Sequence, residues 1–534
     1  MSERTAASLP ARATLRVLTL AAAAWLLPSA HAHANPLDDA DEAIYAWDVN
    51  GAKRALARAP AGPATRMRAG SIALMEGDYA EAERLLAAAV AEMSPVDPAI
   101  GRARSELAAA RGAHKLFAAA TVRTIAAGRA VAVVRNDKDA PIARYLAEAM
   151  DRAHGELEAL IGVVPDQPVR FELLDDPLQL AMMTPLTAEN VRTTGTVGVT
   201  KYRRIMMVTP RVMLYGYDWL DTAVHEYVHY LLTIRTRNRA PVWLQEGMAK
   251  LLEARWRSEA IAQLDPHVAW LLHEAIIKDD LVTFDEMYPS VAMLPTAERA
   301  ALAYAQTETM LALLFERRGP AGIAALLDAV ADGAPAEEAL AAAYGATFPE
   351  FEAQWRTTMA ARTKGAKPGK LERPRVREAG ESEGDDDPSL RGDIFSHLGG
   401  GAARQHARLG VLLQLRGHDA AAVEQYAKAR RADPKAASDP QLARRLGELL
   451  VGQGKFAEAV PLLTIAARAE PDNANIAAAQ GRALRMTGRS EASRAALWRA
   501  LRKNPFIPTL HCDLAAVADD EDWRAEEAAL CTGK

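Results

Sequence analysis

Residues 225–229 read His225-Glu226-Tyr227-Val228-His229, two histidines four positions apart with a glutamate directly after the first. Around them, Trp219, Leu220, Ala223, Val224, Tyr227, Val228, Leu231 and Leu232 recur at helical spacing, so an amphipathic helix is expected here. On a helix, positions i and i+4 share a face, and both imidazoles can be aimed at one metal ion. Glu226 can then reach a water in an open coordination position without ligating the ion itself. The plainer alternative is a helix with two ordinary histidines beside a core stripe. A third ligand separates the two. Tyr227 points to the apolar side and reads as a packing residue.

Twelve residues after His229 a second amphipathic helix opens with PVWLQEGMA, which puts Glu246 seventeen residues after His229. Its W-L-x-E-G-x-A pattern, Trp243 to Ala249, resembles the third-ligand helix of the gluzincin metallopeptidases, the aminopeptidase N type and related peptidase MA-like proteins. The resemblance extends over about 125–360 and includes the later helical stretch AYGATFPEFEAQWRTTM. It implies that Glu246 is the third zinc ligand, and that Gly247 and Ala249 let this helix pack closely against the first. With His225, His229 and Glu246 bound, a tetrahedral zinc keeps one position open, the mark of a catalytic site. Such a zinc would lower the pKa of its water toward about 7, with Glu226 as general base. Gluzincins often carry an oxyanion-facing tyrosine in a downstream helix, which here points to Tyr304; the alternative is a packing tyrosine. The metzincin pattern needs glycine and histidine three and six residues after the second histidine, where this chain has Leu232 and Arg235. The aminopeptidase G-x-M-E-N motif does not occur, which disfavours aminopeptidase action. Glu253 is read as an outer or surface carboxylate, and His267 and His273 as structural or solvated. In zincin-like folds an edge strand above the cleft can hold an extended peptide. The strand Arg204 to Val208 comes just before the motif helix, but the sequence does not identify the edge; Arg203 and Arg204 are read as exposed and solvated, with substrate contact as the alternative.

These residues sit in a chain of 534, with 64 Lys+Arg against 69 Asp+Glu and a formal net charge of −5, a balance that disfavours a nucleic-acid binder. Half of the residues are hydrophobic and only 6% aromatic. Alanine is abundant, so a mostly helical protein is expected. Cys512 and Cys531 are the only cysteines, too few for a cysteine-built zinc site; a disulfide closing the last hairpin is the favoured reading, with two free thiols as the alternative. Arg4, Arg12 and Arg16 precede the uncharged run VLTLAAAAWLL and small-residue cleavage sites near Ala30 to Ala34. This reads as an export signal over residues 1–34, which implies a periplasmic or extracellular protein with no membrane span after cleavage.

Repeats appear at both ends. Gly410, Gly447 and Gly481 are each followed seven residues on by Gly417, Gly454 and Gly488, and further on by Pro434, Pro471 and Pro505. Gly70, Gly77 and Pro95 repeat the pattern near the N-terminus. The unit resembles the tetratricopeptide repeat, in which small residues let two antiparallel helices approach and a glycine turns between them. Between the arrays, residues 130–136, 168–174, 196–200 and 204–208 read as strands, followed by long helices. The expected architecture is an α+β zincin-like domain (a small mixed sheet plus active-site helices) flanked by all-α repeats. The expected division is helical repeats at 35–122, the metallopeptidase-like domain at 123–363, a disordered linker at 364–401 and repeats at 402–534. The functional expectation is a zinc peptidase acting on a protein or peptide, with the repeats recruiting a protein partner or substrate through a movable C-terminal array. The alternative is a non-catalytic interaction scaffold.

Overall fold

The computed structural model describes residues 35–213, 216–258, 260–261, 263–369, 371, 395–398 and 401–531. The expected export signal and most of the expected linker lie outside the described residues. No helix among those described is long and apolar enough to cross a membrane.

The centre of the molecule is a small mixed sheet with helices packed around it. Its strands are β1 (Thr121–Ile125), β2 (Ala130–Val134), β3 (Val169–Leu174), β4 (Gly198–Lys201) and β5 (Arg204–Val208), in the order β1-β2-β3-β5-β4. β2, β3 and β5 are parallel, and the edges β1 and β4 are antiparallel to their neighbours. Every residue of β5 is buried, as expected of a strand covered on both faces. β1 escaped the sequence reading because its first four residues are all exposed, which leaves no alternating pattern to read. Lys201 and Arg204 are joined through Tyr202 and Arg203, both left-handed at φ 53° and 60°, the conformation a two-residue hairpin turn requires.

That topology settles one open point and corrects one expectation. The edge strand beside the motif helix, which the sequence does not identify, is β4, because β5 lies inside the sheet. Arg203 and Arg204 are buried, not solvated. Arg204 sits over the Tyr79 ring at 4.7 Å with the Glu172 carboxylate 3.7 Å away, while Arg203 bonds the Tyr230 hydroxyl and pairs with Asp166. Both arginines therefore tie the sheet and the motif helix to the surrounding helices.

The repeats are helical hairpins at both ends. Pro63–Glu76 pairs with Tyr79–Glu92, Pro440–Gly452 with Phe456–Ala469, and Ala474–Met486 with Ser490–Lys503. Their glycines mark the crossings: a Cβ on Gly481 would lie 2.6 Å from the Leu497 side chain, and one on Gly447 2.9 Å from Leu463. Cys512 and Cys531 are joined, closing the last hairpin as expected.

A freely moving C-terminal array does not fit this structure. Ala477, Leu497, Ala500, Leu501, Leu510, Leu514 and Val517 belong to the same hydrophobic core as the sheet and the motif helix. Trp219, the first residue of the motif helix, is buried and donates its indole N–H to the Leu501 carbonyl at 3.0 Å. The Tyr217 amide donates to the Lys503 carbonyl at 2.9 Å, and the Lys503 ammonium pairs with Asp218 and Asp472. Farther along, Glu527 is fully buried and accepts hydrogen bonds from Arg144 (3.1 Å), Trp523 (2.9 Å) and Tyr145. The sequence could not show this, because each repeat's apolar face looks alike whether it meets another repeat or a different domain. A chain ending at residue 473 is therefore expected to unfold at a temperature several degrees lower than the full chain. Calorimetry of the two chains checks this; unchanged midpoints would mean that the array is dispensable to the core.

Candidate metal centre

Three helices build the site. The motif helix spans Trp219–Arg235, the glutamate helix Val242–Leu252, and a long helix Ala297–Ala331, broken at Gly319-Pro320, carries Tyr304. The apolar stripe read from the sequence is buried along the motif helix. Its Tyr227 does pack inward, and it also makes polar bonds: its hydroxyl lies 2.8 Å from Glu158 and 2.7 Å from His154 Nδ1, on the helix Ala140–Ile161. Asp221, on the first turn, accepts from the Trp256 indole (2.9 Å) and from Arg257 (2.9 and 2.5 Å), which holds the chain beyond the glutamate helix against the motif helix.

Gly247 does not act where it was expected to. A Cβ there would lie 2.9 Å from the backbone of Thr307 and 2.8 Å from Leu311, so the glycine admits the long helix rather than the motif helix. The close crossing is what brings Tyr304 beside the ligands of the other two helices.

On this frame His225 Nε2 and His229 Nε2 come within 3.1 Å, and each lies 3.4 Å from Glu246 Oε2. A tetrahedral zinc with bonds of about 2.0–2.1 Å has ligand–ligand edges of roughly 3.3–3.4 Å, so this triangle has the size that such an ion spans. The far nitrogens are held as well. His225 Nδ1 meets Glu253 Oε2 at 3.0 Å and His229 Nδ1 meets Gln245 Oε1 at 3.2 Å, contacts that place the proton on Nδ1 and leave the Nε2 lone pairs free to bind. The side chains of His225, His229 and Glu246 keep 13%, 15% and 16% of their surface exposed, so the three are only partly shielded from solvent. The donor set and its geometry fit zinc. His225, His229 and Glu246 are the group of at least three candidate ligands that converges among the described residues.

The electrostatics express the crowding. Burial disfavours a charged His225, yet its hydrogen bonds to Glu246 and Glu253 outweigh that and push its pKa up to about 10. Against the same burial, His229 and His225 hold the Glu246 carboxyl well below the usual range, and Lys250 and His225 bring Glu253 down to about 2. A cation, whether proton or metal, is needed to keep these groups together.

The remaining sequence candidates also reach the site. Glu226 is buried, with the Thr200 hydroxyl of β4 2.7 Å from its Oε2, and a Cβ on Gly198 would lie 2.9 Å from its Oε1. The Tyr304 ring stands edge-on to His225 at 6.5 Å. Burial, then the Glu246, Glu226 and Glu253 carboxylates, raise its pKa well above the ordinary phenol value, so its O–H stays a donor. His267 stacks on Trp270 and accepts from the Gly369 amide at 3.1 Å, and His273 lies 3.0 Å from the Thr363 hydroxyl, both far from any ligand role.

Sequence reasoning missed Thr200 and Gln245; Glu253, left open between an outer and a surface carboxylate, is the outer one, bonded to His225. Gln245 and Glu253 lie on or just past the glutamate helix, yet only its docking angle shows which ring each one meets. Replacing Glu253 by alanine is expected to weaken zinc binding about 10- to 100-fold. Titration against a chelator measures this, and an unchanged constant would remove Glu253 as the partner that orients His225.

Comparison with known proteins agrees with this arrangement. The Peptidase MA superfamily model matches residues 149–361, and the tetratricopeptide repeat model matches 49–98 and 444–508. No curated protein matches the chain. Among solved structures, the crystal structure of the APC/C hetero-tetramer Cut9-Hcn1 is 11% identical, with 91% of this chain and 83% of that one covered at a TM-score of 0.19. The crystal structure of the yeast Tom70 is 12% identical, with 94% and 88% covered at a TM-score of 0.17. Scores this low carry no argument about this chain. Residues 149–361 form a domain of the Peptidase MA superfamily, in a chain that also carries tetratricopeptide repeats.

Proposed function

We propose that this protein is a zinc metallopeptidase of the gluzincin type. The observation that carries the reading is the triangle of His225 Nε2, His229 Nε2 and Glu246 Oε2, with Glu226 and Tyr304 beside it inside a Peptidase MA superfamily domain. A zinc ion held there would polarise a peptide carbonyl and acidify a water to a pKa near about 7. Glu226 would accept the proton of the attacking water and return it to the leaving amine; the Thr200 hydroxyl orients its carboxylate. The Tyr304 O–H, kept protonated by its surroundings, donates to the oxyanion that develops on the carbonyl. β4 is an edge strand beside Glu226, so an extended substrate can pair with its free backbone and lie across the site.

We also read the protein as exported, to a periplasmic or extracellular location. The Cys512–Cys531 disulfide supports this, since such bonds persist in oxidising compartments. The repeats supply surface for a protein partner. On the helix Ala402–Gln414 and just beyond it, Leu409, Leu412 and Leu415 are 44%, 45% and 53% exposed, an apolar stripe that favours this added role.

His229→Ala is expected to lose stoichiometric zinc on dialysis, with metal analysis as the readout. Glu226→Gln is expected to retain zinc and to lose peptide hydrolysis by roughly two orders of magnitude or more. Wild-type protein with zinc bound that hydrolyses nothing across a broad peptide library would instead support the non-catalytic scaffold.

A further inference from the structure

Next to the triangle lies a cavity of about 270 Å³, and a second of about 520 Å³ shares the walls Gln263, Leu264 and Glu308 with it. The smaller one starts at Tyr304 and Glu253, the two residues that face or bond His225. Leu264, Val268, Ala301 and Ala305 give it an apolar lining, and Glu308 stands where the two cavities adjoin.

Glu308 has no role in the chemistry derived above. It is 7% exposed and makes no hydrogen bond or ion pair among the described residues. The other charges around the cavities are committed. Lys250 donates to Glu253 at 2.5 Å, Asp265 caps the helix Pro266–Lys278 by accepting from the His267 and Val268 amides, and Glu316 pairs with Arg362 at 2.7 Å. A buried carboxylate without a hydrogen bond is costly to keep charged, and burial pushes the pKa of Glu308 up to about 7, with the charge of Lys250, which lines the same cavity, opposing the rise.

We infer that this cavity is a specificity pocket for a lysine or arginine side chain of the substrate, whose apolar stem lies along Leu264, Val268, Ala301 and Ala305 while its charged head pairs with Glu308. The inference rests on the peptidase reading of the adjacent site. A long cationic side chain matches the pocket on both counts, since its methylenes want apolar walls and its head wants a desolvated carboxylate. An acidic side chain would meet an unpaired like charge. A purely aliphatic one would leave Glu308 buried and unpaired, which is how a polar pocket rejects an apolar isostere.

The test uses zinc-loaded Glu226→Gln protein, so that peptides bind without turnover. One peptide frame carrying Lys, Arg, norleucine or Glu at each position in turn is titrated calorimetrically, and the series is repeated with Glu308→Gln added. At one position Lys and Arg are expected to bind at least about tenfold tighter than norleucine, and Glu308→Gln is expected to abolish that difference. Ala301→Met, which narrows the apolar walls without touching the carboxylate, is expected to reduce the same difference. No position with a cation preference, or a preference that survives Glu308→Gln, would overturn the pocket. Hydrolysis of the same peptides by zinc-loaded wild-type protein is measured in parallel. Absence of hydrolysis there would overturn the peptidase reading by itself, while hydrolysis without a cation preference would overturn only the pocket.

Discussion

Two imidazole nitrogens and a carboxylate oxygen held within 3.4 Å of one another place their lone pairs in one small, poorly solvated space. Such an arrangement is unfavourable unless a cation sits among them and the outer atoms of each ring are fixed. Much of the domain answers that constraint. Glu253 and Gln245 hold the two rings from behind. Gly247 lets the glutamate helix lie against the long helix, so that side chains from three helices meet in one place. Tyr227, His154 and Glu158 set the motif helix against the helix below it.

The same constraint explains why the C-terminal repeats are part of the core. The motif helix begins at Trp219, whose indole N–H needs a buried acceptor and finds it at Leu501 in the repeat hairpin. The Tyr217 amide and Asp218, just ahead of that helix, are satisfied by Lys503. A repeat array that supplies carbonyls and a cation to this end of the motif helix is a wall of the domain. Its earlier hairpins form a separate core that includes Phe395, so the array has a docked end and an outer end.

The charges around the site divide by whether they have partners. Glu246 and Glu253 are stabilised as anions by histidines and Lys250, and the Tyr304 phenol is held neutral by its burial and by the carboxylates around it. Glu308 makes no hydrogen bond or ion pair among the described residues, and the more distant charge of Lys250 only partly offsets its burial. Proteins keep an unpaired buried carboxylate at a cost, and one lining a cavity beside a reactive centre is a place where a ligand's charge can offset that cost.

Short-range information was enough for much of the picture. The spacing of His225 and His229 on one helical face, the W-L-x-E-G pattern around Glu246 and the glycine periods of the repeats all follow from one helix or one hairpin. So does the strand β5, whereas the pairing of the last two cysteines, left open against two free thiols, was decided by the structure. What needed the tertiary structure was every feature set by how elements dock. The sheet order decided that β4, not β5, is the edge strand, and it buried Arg203 and Arg204. Helix crossing angles decided that Gly247 faces the long helix, that Glu253 meets His225 and that Thr200 meets Glu226. The docking of the final repeats, and the isolation of Glu308, depend on contacts between residues far apart in the chain. An apolar or charged side chain carries no local mark of which distant surface it will meet, so periodicity names the elements while packing assigns their partners.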